Sequence, residues 1–386
     1  MALAENQVAF GTNLLKGNSV QDVKIKWFGP DVGQLEQAAV ARVIASNYIN
    51  DGPTARSFES AVAERLDVRH ALAVSNCTAA IALGLMAVGV GPGDEVIVPD
   101  LTFIATANAV RLAGADVKLV DVEPRRFTLD PQRAAAAIGP RTKAIVPVDV
   151  NGRGADYESL ERLCGERGLK LVCDAAEALG SRWHGRYLGT FGDAGCFSFS
   201  ANKTITSGQG GMVVTNSDDV YHRLKELKDQ GRRFGGTGGD DLHPVLGFNF
   251  KYTDLQASVA IAQLGRMDER VAHFRQRDAW YRRFLADCPN IVVPEVPNFE
   301  GEVLQWTDIL CDDRARVQAA LRAQGIDSRA FWFPLHRQAP YRSADYEFPN
   351  AIDISARGIW LPSAFDLTED HAKTVAQTVR AAVSLA

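Results

Sequence analysis

The stretch FSFSANKTITSGQGGM, residues 197–212, decides both the fold and the chemistry of this chain. It begins with an apolar, β-prone run that ends at one lysine, Lys203, which is followed by hydroxyl side chains and a glycine-rich turn. Apolar neighbours disfavour a charged ammonium group and favour the free amine, which is the nucleophilic form of lysine. Glycines allow a ligand to approach the backbone, and Ser and Thr hydroxyls can donate to a phosphate. The pattern predicts a nucleophilic Lys203, whereas an isolated lysine is usually a solvated surface charge.

A second stretch, LVCDAAEALG at residues 171–180, carries an acidic residue after a short apolar run. The run predicts a buried strand, and Asp174 stands at its carboxyl end, where open α/β sheets bind ligands. A carboxylate there can keep the ring nitrogen of a pyridine protonated, which makes the ring an electron sink. Alternatively, Asp174 caps a helix and forms a capping box with Glu177. The residues leave both roles open.

Short apolar runs alternate with helical patterns between residues 71 and 216. Strands are predicted at residues 71–74, 95–98, 117–120 and 143–148, and helices at 79–88 and 106–112. Such alternation predicts an α/β fold with a mainly parallel sheet that is covered by helices on both faces.

The length of 386 residues exceeds what one hydrophobic core usually holds. We therefore expect a large domain over residues 1–261 and a smaller C-terminal α/β domain over residues 262–386. The apolar pattern predicts one long helix at 255–284, a strand at 306–310, and helices at 314–323 and 367–383.

The composition excludes several classes of protein. A net charge of −5 without a block of basic residues argues against binding to nucleic acid or to an anionic membrane. Six scattered cysteines without a CxxC pair, and seven histidines without an HExxH motif, predict reduced thiols and no metal site. Residues 1–17 lack the pattern of a signal peptide, and no window is apolar enough to span a membrane, so we expect a cytoplasmic protein. Glycines at 235–239 predict a flexible loop.

The two stretches belong to a longer series of motifs that resembles a known family. The other matching pieces, in order, are residues 50–53, 58–59, 74–80, 91–99, 101–103 and 247–254. Each piece is weak alone, but their fixed order along the chain is specific. The chain resembles the pyridoxal-phosphate-dependent sugar aminotransferases of the DegT/DnrJ/StrS group, and most closely their perosamine-synthase-like members. The resemblance implies the aspartate-aminotransferase-like (type I) fold.

The resemblance implies a role for each residue around the cofactor ring. Lys203 would hold pyridoxal 5'-phosphate covalently and later move a proton, while Asp174 would pair with the ring nitrogen. Phe103 matches the aromatic residue that stacks on the ring, although a core phenylalanine is the alternative interpretation. Glu177 matches a position, often Gln, near the ring hydroxyl.

The resemblance also places the cofactor phosphate. Its donors would be the Thr78 hydroxyl, the Ala79 amide at the start of a helix, and Ser198. Alternatively, Thr78 only caps that helix and Ser198 is a buried serine bonded to backbone. Cys77 replaces a glycine that is common in the family, which could remodel the turn without removing the site.

Two further segments match parts of the family that contact a partner subunit or the substrate. Asn249 and Lys251 lie in the segment that reaches the cofactor phosphate of the neighbouring subunit, and the sequence does not say which makes the contact. This implies a homodimer with shared active sites. Arg329 and His336 lie in an aromatic-rich segment suited to a sugar nucleotide. Alternatively, His336 is a core or surface histidine with satisfied hydrogen bonds. Many relatives read PVHLYG where residues 147–152 read PVDVNG.

The expected reaction is a two-stage transamination. Glutamate would donate its amino group, and a nucleoside-diphosphate keto-sugar would accept it, with a GDP-linked or other 4-keto-6-deoxyhexose as first choice. Such amino sugars are built into polysaccharides such as the lipopolysaccharide O-antigen. One alternative is a dehydratase or deoxygenase of the same family, in which histidine replaces the lysine. Another is a non-catalytic regulatory protein that keeps the fold.

Overall fold

The computed structural model describes residues 23–233, 241–294, 296 and 301–384. The strands are β1 (His70–Val74), β2 (Glu95–Pro99), β3 (Asp116–Val120), β4 (Thr142–Ile145), β5 (Lys170–Asp174), β6 (Arg182–Trp183), β7 (Arg186–Tyr187), β8 (Ala194–Ser198), β9 (Gly211–Thr215), β10 (Ile291–Val292), β11 (Asp308–Cys311), β12 (Arg329–Ala330) and β13 (Gly358–Trp360). The helices are α1 (Gln34–Ser46), α2 (Pro53–Leu66), α3 (Cys77–Ala87), α4 (Ala105–Leu112), α5 (Pro131–Ala137), α6 (Tyr157–Arg167), α7 (Asp218–Lys228), α8 (Asp254–Leu264), α9 (Met267–Leu285), α10 (Arg314–Ala323), α11 (Pro349–Arg357) and α12 (Glu369–Ser384).

A seven-stranded sheet with the order β1-β9-β8-β5-β4-β2-β3 forms the centre of the fold. The strands from β8 to β3 are parallel, whereas β9 is antiparallel to both of its neighbours. The α/β prediction with a mainly parallel sheet is therefore confirmed.

Both faces of this sheet are covered, which explains the continuous apolar runs in its strands. Within β5, Leu171 and Cys173 join a core that includes residues of α2 and α6. Val172, which points to the opposite face, joins a second core with residues of α3, α4 and α7. The carboxyl end of β5, which carries Asp174, is thus fixed between two packed layers.

A second sheet, with the order β10-β11-β13-β12, lies in the C-terminal part of the chain. Its core includes residues of α9, α10 and α12, and also Ile25, which forms an isolated bridge with Ile326. The predicted helix at 314–323 matches α10 and is confirmed. The proposed domain boundary at residue 262 falls inside α8, and the division into two domains stays a prediction.

The predicted single helix from 255 to 284 is wrong, because the chain breaks between α8 and α9. Gly265 ends α8, and Arg266 leaves the helical conformation with φ −102° and ψ 8°. Glycine has a poor helix propensity, so a break there is inexpensive. The Arg266 side chain pairs with Asp31 at 2.8 Å. The predicted loop at 235–239 and the N-terminal residues 1–17 lie outside the described residues.

One buried carboxylate links two of the motif segments. Asp254 accepts hydrogen bonds from the amides of Gly52 (2.9 Å), Thr54 (3.1 Å) and Ala55 (2.8 Å), and so caps the start of α2 from a distant part of the sequence. A Cβ atom on Gly52 would lie 2.0 Å from the Tyr48 ring and 2.8 Å from a carboxylate oxygen of Asp254, so a larger residue would displace these side chains. This contact joins the motif segments at residues 50–53 and 247–254.

Candidate active site

A cavity of about 610 Å³ opens at the carboxyl end of β5. Its wall combines the turn after β1, the first turns of α3 and α4, the loop after β8, and the entry to β11. Twenty-one residues line it: Ser75, Asn76, Cys77, Thr78, Ile81, Thr102, Phe103, Ala105, Thr106, Val148, Asp174, Ala176, Glu177, Ser198, Ser200, Asn202, Lys203, Gln209, Trp306, Arg329 and Trp332. The cavity is at the sheet edge where α/β folds bind ligands.

Lys203 projects from the loop after β8 into this cavity. Its backbone amide donates to Ser200 at 3.1 Å, which closes a tight turn beneath the side chain. The side chain is 13% exposed, and its Nζ lies 3.3 Å from Oε1 of Glu177 and 5.4 Å from the centre of the Trp306 ring. The amine is therefore shielded from bulk water but stands next to a proton acceptor.

Glu177 is held in place by a residue that the sequence did not single out. The amide of Asn151 donates to Oε2 of Glu177 at 3.0 Å, which leaves Oε1 for Lys203. The Asn151 side chain donates to the Trp306 carbonyl at 2.6 Å and accepts from the Trp306 amide at 2.8 Å. Asn151 thus fixes both neighbours of the lysine. Its φ of +55° is a strain that a PVDVNG motif alone does not reveal.

Asp174 is buried at the end of β5 and accepts two hydrogen bonds. The Thr106 hydroxyl donates to Oδ2 at 2.7 Å, and the Ala176 amide donates to Oδ1 at 3.1 Å. Burial raises the pKa of Asp174 above its ordinary value, and the two hydrogen bonds and the Lys203 charge act in the opposite direction. The capping-box interpretation is wrong, because turns and not a helix follow Asp174.

The predicted phosphate turn lies at the cavity wall, with one correction. Thr78 and Ser198 both line the cavity. However, the cap of α3 is Asn76, whose side chain accepts the Ala79 amide at 2.9 Å, so this amide is already bonded and Thr78 is not the cap. A Cβ atom on Gly211 would lie 2.4 Å from the Asn76 carbonyl carbon, so glycine is required where β9 meets this turn.

Phe103 is 52% exposed and lines the cavity, so the interpretation of a core phenylalanine is wrong. Its ring is available to a flat ligand in the cavity.

The structure separates the two predicted substrate residues. Arg329 lines the cavity, where its guanidinium lies 5.1 Å from the Trp27 ring and 5.6 Å from the Trp360 ring, and it pairs with no carboxylate of the described residues. His336 is fully buried outside the cavity wall, with its ring nitrogens 2.7 Å from Asp100 and 3.1 Å from Asp345. The expectation that His336 binds the substrate is therefore corrected. Its side chain links its own segment to Asp100, which directly follows β2.

Asn249 and Lys251 also lie outside the cavity wall. Lys251 Nζ is 2.7 Å from Asp229, and Asn249 is exposed and forms a backbone bridge with Asp229. Their predicted contact with a cofactor in a neighbouring subunit stays a prediction.

Several other wall residues escaped the sequence analysis. Trp306 lay in a predicted strand and Thr106 in a predicted helix. Because such residues are ordinary in these elements, neither one indicated a ligand site. Asn202 directly precedes Lys203, and Gln209 lies in the glycine-rich turn after it. Their proximity in sequence to Lys203 is the one signal that could have identified them. Trp332 lies near Arg329, within the aromatic-rich segment.

The described ranges contain neither a cluster of metal ligands nor a membrane-spanning helix. No group of three or more His, Cys, Asp or Glu side chains in residues 23–233, 241–294, 296 and 301–384 could hold a metal ion. Within those same ranges, no helix combines the length and apolar character that a membrane crossing needs.

The residues of the cavity fit pyridoxal 5'-phosphate. The shielded amine of Lys203 can condense with an aldehyde, and the buried carboxylate of Asp174 can face a cationic ring nitrogen. The exposed ring of Phe103 offers a stacking face. The hydroxyls of Thr78 and Ser198, beside the start of α3, suit a phosphate.

Comparisons with known proteins agree with this fit. The model of the DegT/DnrJ/EryC1/StrS aminotransferase family matches residues 30–380. The chain is 39% identical over 325 residues to a GDP-perosamine synthase of Caulobacter vibrioides, which covers 81% of this chain and 85% of that protein.

Solved structures give the same result. The structure of DesI with its TDP-sugar product has a TM-score of 0.86 and 32% identity, and covers 95% of this chain and 94% of that one. The structure of S. venezuelae DesV with a ketimine intermediate also has a TM-score of 0.86 and 32% identity, over 90% of this chain and 93% of that one. The chain belongs to the DegT/DnrJ/EryC1/StrS aminotransferase family and is a pyridoxal-phosphate-dependent enzyme.

Proposed function

We propose that this enzyme transfers an amino group from glutamate to the keto group of a nucleoside-diphosphate sugar. The first choice of acceptor is a 4-keto-6-deoxyhexose linked to GDP. The observation that carries the proposal is the arrangement of Lys203, Glu177 and Asp174 around one cavity. The same cavity exposes Arg329, which pairs with no carboxylate of the described residues.

The protein's own groups divide the work of the reaction. When bound, pyridoxal phosphate supplies the electron sink that makes a carbon–hydrogen bond next to nitrogen acidic. Lys203 would hold the cofactor, and its free Nζ would take up and return the proton. Glu177, 3.3 Å away, can hold a proton for that amine. Asp174 would place a negative charge opposite the ring nitrogen, and Phe103 would offer a face on which the ring can stack.

The nature of the acceptor rests on the cavity wall and on the relatives. Arg329 is held between tryptophan rings and presents a cation to the cavity, which suits a diphosphate. Trp332 adds an aromatic face for a sugar or base. The names of the relatives, GDP-perosamine synthase and DesI with its TDP-sugar product, support a sugar nucleotide and favour GDP.

We further propose an obligatory homodimer with shared sites. Asn249 is exposed at the surface, where a second subunit could bring it to a cofactor phosphate. The exposed side chains of Leu35, Ile44, Tyr48 and Ile49, on and after α1, offer an apolar surface for a second copy. We place the enzyme in the cytoplasm, and its amino sugar in surface polysaccharide such as O-antigen.

The test is transfer of labelled nitrogen. The enzyme with cofactor is incubated with ¹⁵N-glutamate and a panel of GDP-, UDP- and TDP-linked keto-sugars, and the products are analysed by mass spectrometry. We expect ¹⁵N in a sugar nucleotide together with an equal amount of 2-oxoglutarate. Loss of oxygen from the sugar without gain of ¹⁵N would show a dehydratase or deoxygenase. No change in any acceptor would contradict the proposal.

A further inference from the structure

Two buried hydroxyls form a chain behind the Asp174 carboxylate. Thr102 and Thr106 are four residues apart and are 2% and 1% exposed. Their Oγ1 atoms lie 3.0 Å from each other, and Thr106 Oγ1 lies 2.7 Å from Oδ2 of Asp174. Thr106 lies in the first turn of α4, so the positive end of that helix also faces the carboxylate.

The direction of the hydrogen bonds follows from the number of protons. An ionised carboxylate only accepts, and Oδ1 of Asp174 accepts the Ala176 amide while Oδ2 faces Thr106. Thr106 has one hydroxyl proton, and its contact with Asp174 at 2.7 Å is much shorter than its contact with the Phe103 carbonyl at 3.3 Å. Thr106 therefore donates to Asp174 and accepts from Thr102.

We propose that Thr106 is a positioning residue that keeps the Asp174 carboxylate ionised and fixes its orientation toward the cavity, with Thr102 supporting it. This inference rests on the proposed function, in which Asp174 faces the cationic ring nitrogen of the cofactor. A hydrogen bond to a charged acceptor is stronger than one to a neutral acceptor, so Thr106 favours the ionised form.

The surroundings explain why such support is needed. Burial alone raises the pKa of Asp174, and an Asp174 that took up a proton could no longer stabilise a cation. The titratable groups that face this carboxylate are Lys203, Glu177, Asp149, Cys77 and Cys196. Lys203 is the only one of these five that can carry a positive charge. The Thr106 hydroxyl and the Ala176 amide add favourable contributions that do not depend on the protonation of Lys203.

The experiment compares Thr106→Val, which keeps the shape but removes the hydroxyl, with Thr106→Ser, which keeps the hydroxyl. Thr102→Val leaves the contact with Asp174 in place and removes only the support behind Thr106, so it should shift the same transitions by a smaller amount. The holoenzymes are assayed for kcat and KM, and the absorbance of the bound cofactor is titrated with pH. Melting temperatures are recorded without cofactor.

We expect Thr106→Val to lower kcat by about 10- to 100-fold with little change in KM, the loss typical of a hydrogen bond to a charged group. The acidic limb of the activity profile and the acidic transition of the absorbance should both move to higher pH. Thr106→Ser should stay within about threefold of the parent, and Thr102→Val should lose only about 2- to 10-fold.

Equal kcat values and unshifted acidic transitions for Thr106→Val and Thr106→Ser would overturn the inference. So would a fall in melting temperature that lowers activity without moving either transition, since that shows packing alone. If Thr106→Val does not fold, the pH titration of Thr102→Val tests the inference instead. An unshifted acidic transition in Thr102→Val would contradict a role for the two hydroxyls. Failure of the proposed function is distinct, because the parent enzyme would then transfer no ¹⁵N while its cofactor absorbance could still be titrated.

Discussion

The amine of Lys203 lies between a carboxylate and an aromatic face. Glu177 is held by the Asn151 amide, and Trp306 is held by the Asn151 side chain, so one residue sets both distances. A lysine with ordered neighbours loses little conformational entropy when it reacts.

The role of Asp174 gives a prediction with two readouts. Asp174→Asn should lose most activity, because an amide cannot hold the ring nitrogen protonated, yet it should still bind the cofactor. The pKa of Asp174 is raised in the folded state, so this state binds more protons than the unfolded state, and stability falls as pH rises through that window. The cofactor-free Asn variant should therefore lose this part of the pH dependence of stability, as thermal melting at several pH values measures.

The measurements are initial rates, cofactor titration and thermal melting, with Ser217→Asn at an unrelated helix cap as the control. A variant with normal turnover would show that the charge of Asp174 is not needed for catalysis.

At the residue scale, the sequence could predict the groups whose chemistry is unusual for their position. Lys203 and Asp174 end apolar runs, and a charged group there is conspicuous. Asn151 and Thr106 could not be found this way, because their functions depend on contacts with residues distant in sequence. His336 was misassigned for the opposite reason, since a histidine paired with two carboxylates in the interior has the same sequence signature as one in a site.

Among the helices, α2 depends on a cap supplied from the start of α8. Asp254→Ala removes three hydrogen bonds to buried or partly buried amides, and should lower the free energy of unfolding by about 3 kcal/mol. Ser217→Ala, which removes a single hydrogen bond at the cap of α7, should cost about 1 kcal/mol. Denaturant unfolding of the two variants measures the difference. Equal losses would show that the long-range cap does not stabilise α2.

The segment after β4 carries a second buried acid with a consequence for pH. Burial raises the pKa of Asp149 from 3.8 to about 8, against the hydrogen bonds from Tyr157 and Ala155. Between these two pH values the folded state keeps a proton that the unfolded state has lost, so stability must fall as pH rises from about 4 to about 8. Asp149→Asn should flatten this part of the stability curve, as measured by denaturant unfolding at several pH values. An unchanged slope would contradict the assignment.

At the element scale, short helices and strands with clear apolar patterns were predicted well, as α10 shows. The break between α8 and α9 was missed, because a single glycine inside an apolar pattern is also found in continuous helices. Arg266, at the break, pairs with Asp31, a residue more than two hundred positions away, and the local sequence does not reveal this contact.

The whole molecule raises the question of the shared site. Asn249→Ala combined with Lys251→Ala should weaken cofactor binding, because these residues are proposed to reach the phosphate in the other subunit. Mixing that variant with Lys203→Ala should restore part of the activity, since one site of each hybrid dimer has an intact lysine and an intact partner segment. Subunit exchange is verified by mass spectrometry. Verified exchange without recovery, or a fully active monomer, would contradict the shared site.

The central claim is that Lys203 holds the cofactor in this cavity, and chemical trapping tests it most directly. Borohydride should reduce the link between pyridoxal phosphate and the lysine to a permanent bond, which peptide mass spectrometry can locate. We predict that the label is on Lys203, that prior addition of glutamate prevents labelling, and that Lys203→Ala stays unlabelled and loses more than about a thousandfold in activity. Label on another lysine, or activity of Lys203→Ala within about tenfold of the parent, would contradict the account.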